Sequence, residues 1–194
     1  MSLLDPLSLR LSRDLESVLG LPDPRAKLSA YHDMPYAIFR YDPEEEFELR
    51  KQVTLLDTRL TQKGKRIRRI SLAECLDVGM RSQRSLEEWF AAEREQGVET
   101  IVETVHAVLS EYTPLVDLVA TRMPQSPDPL HDIVFILRTG ALFPVYRTFS
   151  LLEQLKGRVH VPTVLFYPGD LDGAAGLRFM GVLDAEHNYR PKIF

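Results

Sequence analysis

The sequence predicts an α/β protein: a single three-layer sandwich with a mainly parallel central sheet and an antiparallel C-terminal edge. Two observations lead there. Apolar runs of strand length alternate with amphipathic, helix-length stretches over the whole chain. The stretch from His131 to Asp170 also holds one complete strand, helix and strand. Its first run, Ile133 to Leu137, is continuously apolar and rich in branched residues, as in a strand buried on both faces, although periodicity alone leaves a buried helix open. Arg138-Thr139-Gly140 breaks the run. A helix is expected from Pro144, with Val145, Phe149, Leu152 and Leu155 at helical spacing and Gly157 as its stop. Pro162 opens the second strand, Thr163 to Tyr167, and Pro168-Gly169 closes it.

Taken in order, Asp5 and Pro6 start an amphipathic helix carrying Leu7, Leu11, Leu15 and Val18, which ends at Gly20. Residues 1–30 form this N-terminal helix and turn, and residues 31–194 form the body of the same domain. Tyr36 to Tyr41 is the first expected strand. Asp42-Pro43-Glu44-Glu45 combines an N-cap aspartate, a proline in the first turn and acidic residues facing the positive helix end. That helix runs through Leu49, Val53, Leu56 and Leu60 to Gly64, and Lys65 to Leu72 is a poorly alternating second strand. Ser71 with Glu74, and Ser85 with Glu88, have the spacing of capping boxes, so a helix is expected after each serine. Further helical stripes extend to Thr113-Pro114 and then to Arg122, followed by a proline-rich loop from Met123 to Asp132. Asp170 to Gly176 is expected as a loop, and Leu177 to Val182 and Tyr189 to Phe194 as short final strands.

The 194 residues suffice for one domain that buries about 70% of its unfolded surface. A net charge of −4 gives no general attraction to nucleic acid or anionic membrane, so direct DNA binding is expected to be weak or absent. The single cysteine, Cys75, excludes an intramolecular disulfide and fits a reducing cytosol. No apolar run approaches the length of a membrane span, and arginines and acids interrupt the N-terminal leucines. A cytoplasmic protein is the expectation.

No residue set in this sequence identifies a reaction. Gly140 follows an apolar strand, but no Gly-Lys-Ser/Thr accompanies it, which excludes a P-loop, and a dinucleotide fingerprint fails likewise. The five histidines lack metal-ligand spacing, and no Gly-x-Ser-x-Gly elbow is present. Asp170-Leu171-Asp172-Gly173 resembles only the opening of a calcium loop. No catalytic residue, metal site or cofactor is therefore assigned. Ligands of parallel sheets sit beyond the carboxyl ends of the strands, so Asp42, Arg138, Thr139, Tyr167 and Asp170 are candidates for a partner- or ligand-binding rim. The plain alternative is that Arg138 pairs with Asp42 or Asp170 and merely orders that rim. Trp89, Phe90 and Tyr112, on the helical region, form an alternative interface unless they simply pack in the core. Arg59, Lys63, Lys65, Arg66, Arg68 and Arg69 form a basic cluster that either meets phosphates or solvates a helix end and strand.

Several stretches, PYAIFRYDPEEE (35–46), DIVFILRTGALFPVYR (132–147), VPTVLFYPG (161–169), LRFMG (177–181) and YRPKIF (189–194), resemble the BrxB family of bacterial BREX phage-defence systems. The resemblance implies a small component acting beside a DNA methyltransferase, a large ATPase and the PglZ protein, with PglZ the favoured partner. It implies no activity and no catalytic residues. Two function classes stand: a non-enzymatic assembly or adaptor subunit, and a nucleotide-sensing or hydrolytic enzyme using the rim around Arg138.

Overall fold

The computed structural model describes residues 5–28, 35–173, 176–186 and 191–194. His32 and His187, and Tyr189 and Arg190 of the expected last strand, lie outside the described residues.

The four expected strands near Ala37, Ile67, Val134 and Leu165 are β1 (Tyr36–Tyr41), β2 (Arg66–Ser71), β3 (Asp132–Leu137) and β4 (Thr163–Asp172). With β5 (Gly176–Phe179) and β6 (Lys192–Ile193) they form a sheet ordered β2-β3-β4-β1-β6, with β5 paired to β4. All pairs along that path are parallel. The antiparallel edge is therefore β5 alone, from Gly169 opposite Phe179 to Asp172 opposite Gly176. The C-terminal strand β6 runs parallel to β1 instead.

Two helical layers cover the sheet because side chains of a buried strand alternate between its faces. On one face, Ala37, Phe39 and Tyr41 of β1 join Ile133, Phe135, Val164 and Phe166. They pack under the N-terminal helical segment and under α4 (Glu46–Gln62), whose Leu49, Val53, Leu56 and Leu60 form one buried stripe. The N-terminal segment runs from α1 (Leu7–Arg10) through a π-helical stretch, Leu11–Glu16, to α2 (Ser17–Leu19). A short α3 (Arg25–Leu28) follows. Leu7, Leu11, Leu15 and Leu19 repeat strictly every four residues and all are buried. Four residues overshoot one α-turn and fall short of one π-turn, so mixing the two keeps the leucines in line.

On the other face Ile38, Ile70, Val134, Ile136, Leu165 and Tyr167 meet α5 (Leu72–Arg81), α6 (Leu86–Gln96), α7 (Val98–Ala107), α8 (Leu115–Ala120) and α9 (Thr148–Gln154). Ser85 and Glu88 close a full capping box at the start of α6. Ser71 caps α5 through its side chain, which accepts from the Glu74 N–H at 3.3 Å. Gly97, at φ 87°, separates α6 from α7. Among the described residues no helix is long and apolar enough to cross a membrane.

Three local expectations are corrected. The helix expected from Pro144 begins only at Thr148, because the chain after β3 is first taken up by a 3-10 turn, Thr139–Leu142; the Phe143–Pro144 peptide is cis. Strand β4 does not close at Pro168-Gly169 but continues to Asp172. Proline lacks an N–H for the ladder, yet it stands where the strand leaves its parallel neighbours, and Gly169 takes the φ of 150° that carries it to β5. Asp170, Leu171 and Asp172 are consequently strand residues rather than part of a loop.

Candidate functional site at the strand ends

The carboxyl ends of β1, β2 and β3 deliver Tyr41, Ser71 and Leu137 to one rim, and α4 starts beside them. Asp42 sets that start: its carboxylate accepts from the Glu44 N–H at 2.9 Å, capping the 3-10 turn that leads into α4. The first residue of α4, Glu46, thereby comes to the centre of the rim. One carboxylate oxygen accepts from the Tyr41 hydroxyl. The other accepts from Arg50 Nε at 2.9 Å and faces Arg138 Nε at 3.5 Å. Burial, and secondly the Glu46 carboxylate, push the Tyr41 phenol far above its ordinary pKa, so it remains a neutral donor.

Two clefts meet at this trio. The larger, about 300 Å³, lies between α4 and the ends of β2 and β3 and is lined by Leu49, Val53, Arg69, Ser71, Glu74 and Leu137 in addition to Arg50, Arg138 and Glu46. The smaller, about 210 Å³, shares Glu46, Arg50 and Arg138 and is walled by Ala141, Pro168 and Met180. Arg138 takes left-handed backbone angles, φ 59° and ψ 35°, where β3 turns into the 3-10 segment. Arg69 is anchored to Asp57 at 2.6 Å.

Of the expected rim residues, Asp42, Arg138 and Asp170 are at the surface, while Thr139 and Tyr167 are fully buried. The Thr139 hydroxyl has no hydrogen-bond partner among the described residues. The Tyr167 ring packs on Phe179 at 5.5 Å. Asp170 lies 3.9 Å from Arg40, a buried arginine on β1. The carboxylate facing Arg138 is thus Glu46, where Asp42 or Asp170 was expected. Sequence reasoning missed Glu46 and Arg50, and named Arg69 only as part of the basic cluster. The first two carried one signal, an acid and a base four apart on a helix, which also describes any solvated helix pair.

Trp89 belongs to the core: it is buried, its indole N–H donates to the Met80 carbonyl at 3.0 Å, and the Arg84 guanidinium covers its ring. Phe90 and Tyr112 are exposed. The basic cluster is largely spent on internal bonds. Arg59 and Lys63 bind Glu16, buried Lys65 donates to the carbonyls of Leu21 and Leu130, and Arg66 binds Asp132. Arg68 donates to the Arg122 carbonyl. Among the described residues no three histidine, cysteine or acidic side chains are grouped as metal ligands would be.

Comparison with known proteins adds a family to this geometry. The family model described as BREX protein BrxB matches residues 68–193. A BREX protein BrxB from Bacillus cereus (strain H3081.97) is 29% identical over 161 residues, 82% of each chain. No solved structure matches.

Proposed function

Because the chain belongs to the BrxB family of BREX proteins, we propose that it serves BREX phage defence as a non-enzymatic assembly subunit, acting through protein–protein contacts with the PglZ component as its partner. The observation that supports this reading is the outer face of the helical layer from Leu86 to Tyr112. There Phe90, Val98 and Tyr112 remain 54%, 61% and 68% exposed. Large apolar and aromatic side chains left in water are the raw material of interface hot spots. Glu87, Glu88, Glu93, Glu95, Glu99, Glu103 and Glu111 are all exposed around them, against a single arginine, Arg94. Such a face complements a basic surface on the partner, and the charges steer encounter while the aromatics hold the contact. Trp89 is in the core and Thr139 and Tyr167 of the rim are buried, so the reading rests on Phe90, Val98 and Tyr112.

The test is co-purification of the tagged protein from cells carrying the whole defence operon. The double variant Phe90→Ala/Tyr112→Ala, both positions being exposed, should fold and recover at least about tenfold less PglZ, the loss expected from removing interface anchors. Arg138→Glu should recover it normally. A folded double variant that recovers PglZ like wild type places the contact elsewhere. Wild-type protein that brings down no BREX component overturns the adaptor reading itself.

A further inference from the structure

Where the two strand-end clefts meet, two guanidinium groups face one carboxylate. Glu46 is hydrogen-bonded by Arg50 Nε and the Tyr41 hydroxyl, and its contact with Arg138, at 3.5 Å, is loose. The terminal nitrogens of Arg50 make no hydrogen bond to a described residue, and the whole Arg138 guanidinium makes none. At the junction two guanidinium groups, on side chains 40% and 42% exposed, share the single carboxylate of Glu46, and Glu74 also lines the larger lobe. The larger lobe sets Leu49, Val53 and Leu137 beside Thr54, Ser71 and Glu74, and the smaller is walled by Ala141, Pro168 and Met180.

We propose that this junction binds the phosphate of a small phosphomonoester of about mononucleotide size, clamped between Arg50 and Arg138 with its organic part in an adjoining lobe. The planar fork of each guanidinium matches a pair of phosphate oxygens, and two open forks suit a group with three terminal oxygens better than a carboxylate, which one fork saturates. The larger lobe, at about 300 Å³, is within the range of small-molecule sites. A nucleic-acid strand fits less well. Lys65, Arg66 and Arg69 are already engaged by carbonyls, Asp132 and Asp57, so among the described residues this basic cluster is poorly placed to carry successive phosphates. The site stands whether or not the protein is an adaptor.

Binding is measured on the full chain by calorimetry and by the thermal unfolding midpoint, at matched ionic strength, with inorganic phosphate, AMP, glucose 6-phosphate and acetate. Phosphate and both phosphomonoesters should bind and raise the midpoint. Arg138→Gln and Arg50→Gln should each weaken binding by about tenfold or more, as loss of a charge-assisted contact does. Glu46→Gln, which removes the competing negative charge, should tighten it. Absence of binding at millimolar concentration, binding that survives both arginine substitutions, or acetate binding as well as phosphate would each overturn the proposal. Equal affinity for inorganic phosphate and AMP would overturn the seating of an organic group in the lobes.

Discussion

Gly169 marks the step at which β4 exchanges parallel neighbours for β5, and its backbone could scarcely carry another residue. A Cβ there would lie 2.1 Å from the Arg178 carbonyl oxygen and 2.9 Å from the Tyr167 ring, with φ at 150°. We expect Gly169→Ala to lower unfolding free energy by about 2–3 kcal/mol through overpacking and strain, measured by denaturant titration. Glu16 is a second single residue with a wide reach. Its carboxylate, mostly buried, receives Arg59 at 2.7 Å and Lys63 at 2.8 Å. Burial alone would raise its pKa, but the hydrogen bonds from Lys63 and Arg59 outweigh that and hold it below the ordinary 4.5. A carboxyl whose pKa is depressed by folding contributes stability that is complete above its unfolded value and disappears as pH falls through its folded one. Glu16→Gln should accordingly cost about 1–2 kcal/mol at pH 7, the lower part of the range for charged hydrogen bonds because both cations are more than a third exposed. The difference between wild type and variant should shrink as pH falls below 4.5, and a gap that stays constant to pH 2 would show that Glu16 acts by packing alone.

At the scale of the element, the two faces of the sheet can be probed separately. Phe135 is buried under the N-terminal helices and α4, and Leu165 under the opposite layer. Replacing either by alanine should cost about 2–5 kcal/mol. Ser85→Ala removes one half of the α6 capping box and should cost about 1 kcal/mol. An unchanged melting temperature in the core variants would disprove the layer assignment. Elements with a strong local signal were legible in the sequence: β3 as an unbroken apolar run, the α4 start from Asp42-Pro43, α6 from Ser85 and Glu88. Those governed by distant partners were not. Thr148 starts α9 because the preceding stretch is spent on the 3-10 segment, and no periodicity encodes that. The direction of β6 depends on β1, from which it is separated by most of the chain. Strand-end logic named Arg138, which stands exposed at the end of β3 opposite Glu46. Glu46 was hidden because an acid in a first turn is sufficiently explained by the helix dipole.

For the molecule as a whole, the family match begins at residue 68, yet β1, α4 and the N-terminal helices precede it and supply an interior strand and one complete layer. We propose that residues 1–194 form one cooperative domain. A fragment of residues 68–193 would leave Phe135 and Phe166 bare, and should show no cooperative thermal transition by calorimetry. The chain also ties its two ends together. Arg10 of α1 donates to the carbonyls of Arg40 and Phe194, while the Phe194 N–H donates to Ile38 and its carbonyl accepts from Arg40. That arrangement has a consequence for synthesis on the ribosome. Strand β1 is complete at residue 41, but its neighbours β4 and β6 begin only at residues 163 and 192. At roughly 5–20 residues per second, β1 waits on the order of 6–24 s before β4 even starts to emerge, its aromatic edge unpaired. The helices from Leu7 to Leu19 are translated before it and α4 directly after. In the folded structure these are the helices that cover Phe39 and Tyr41, so the layer that buries one face of β1 is made before either of the strands that pair with it.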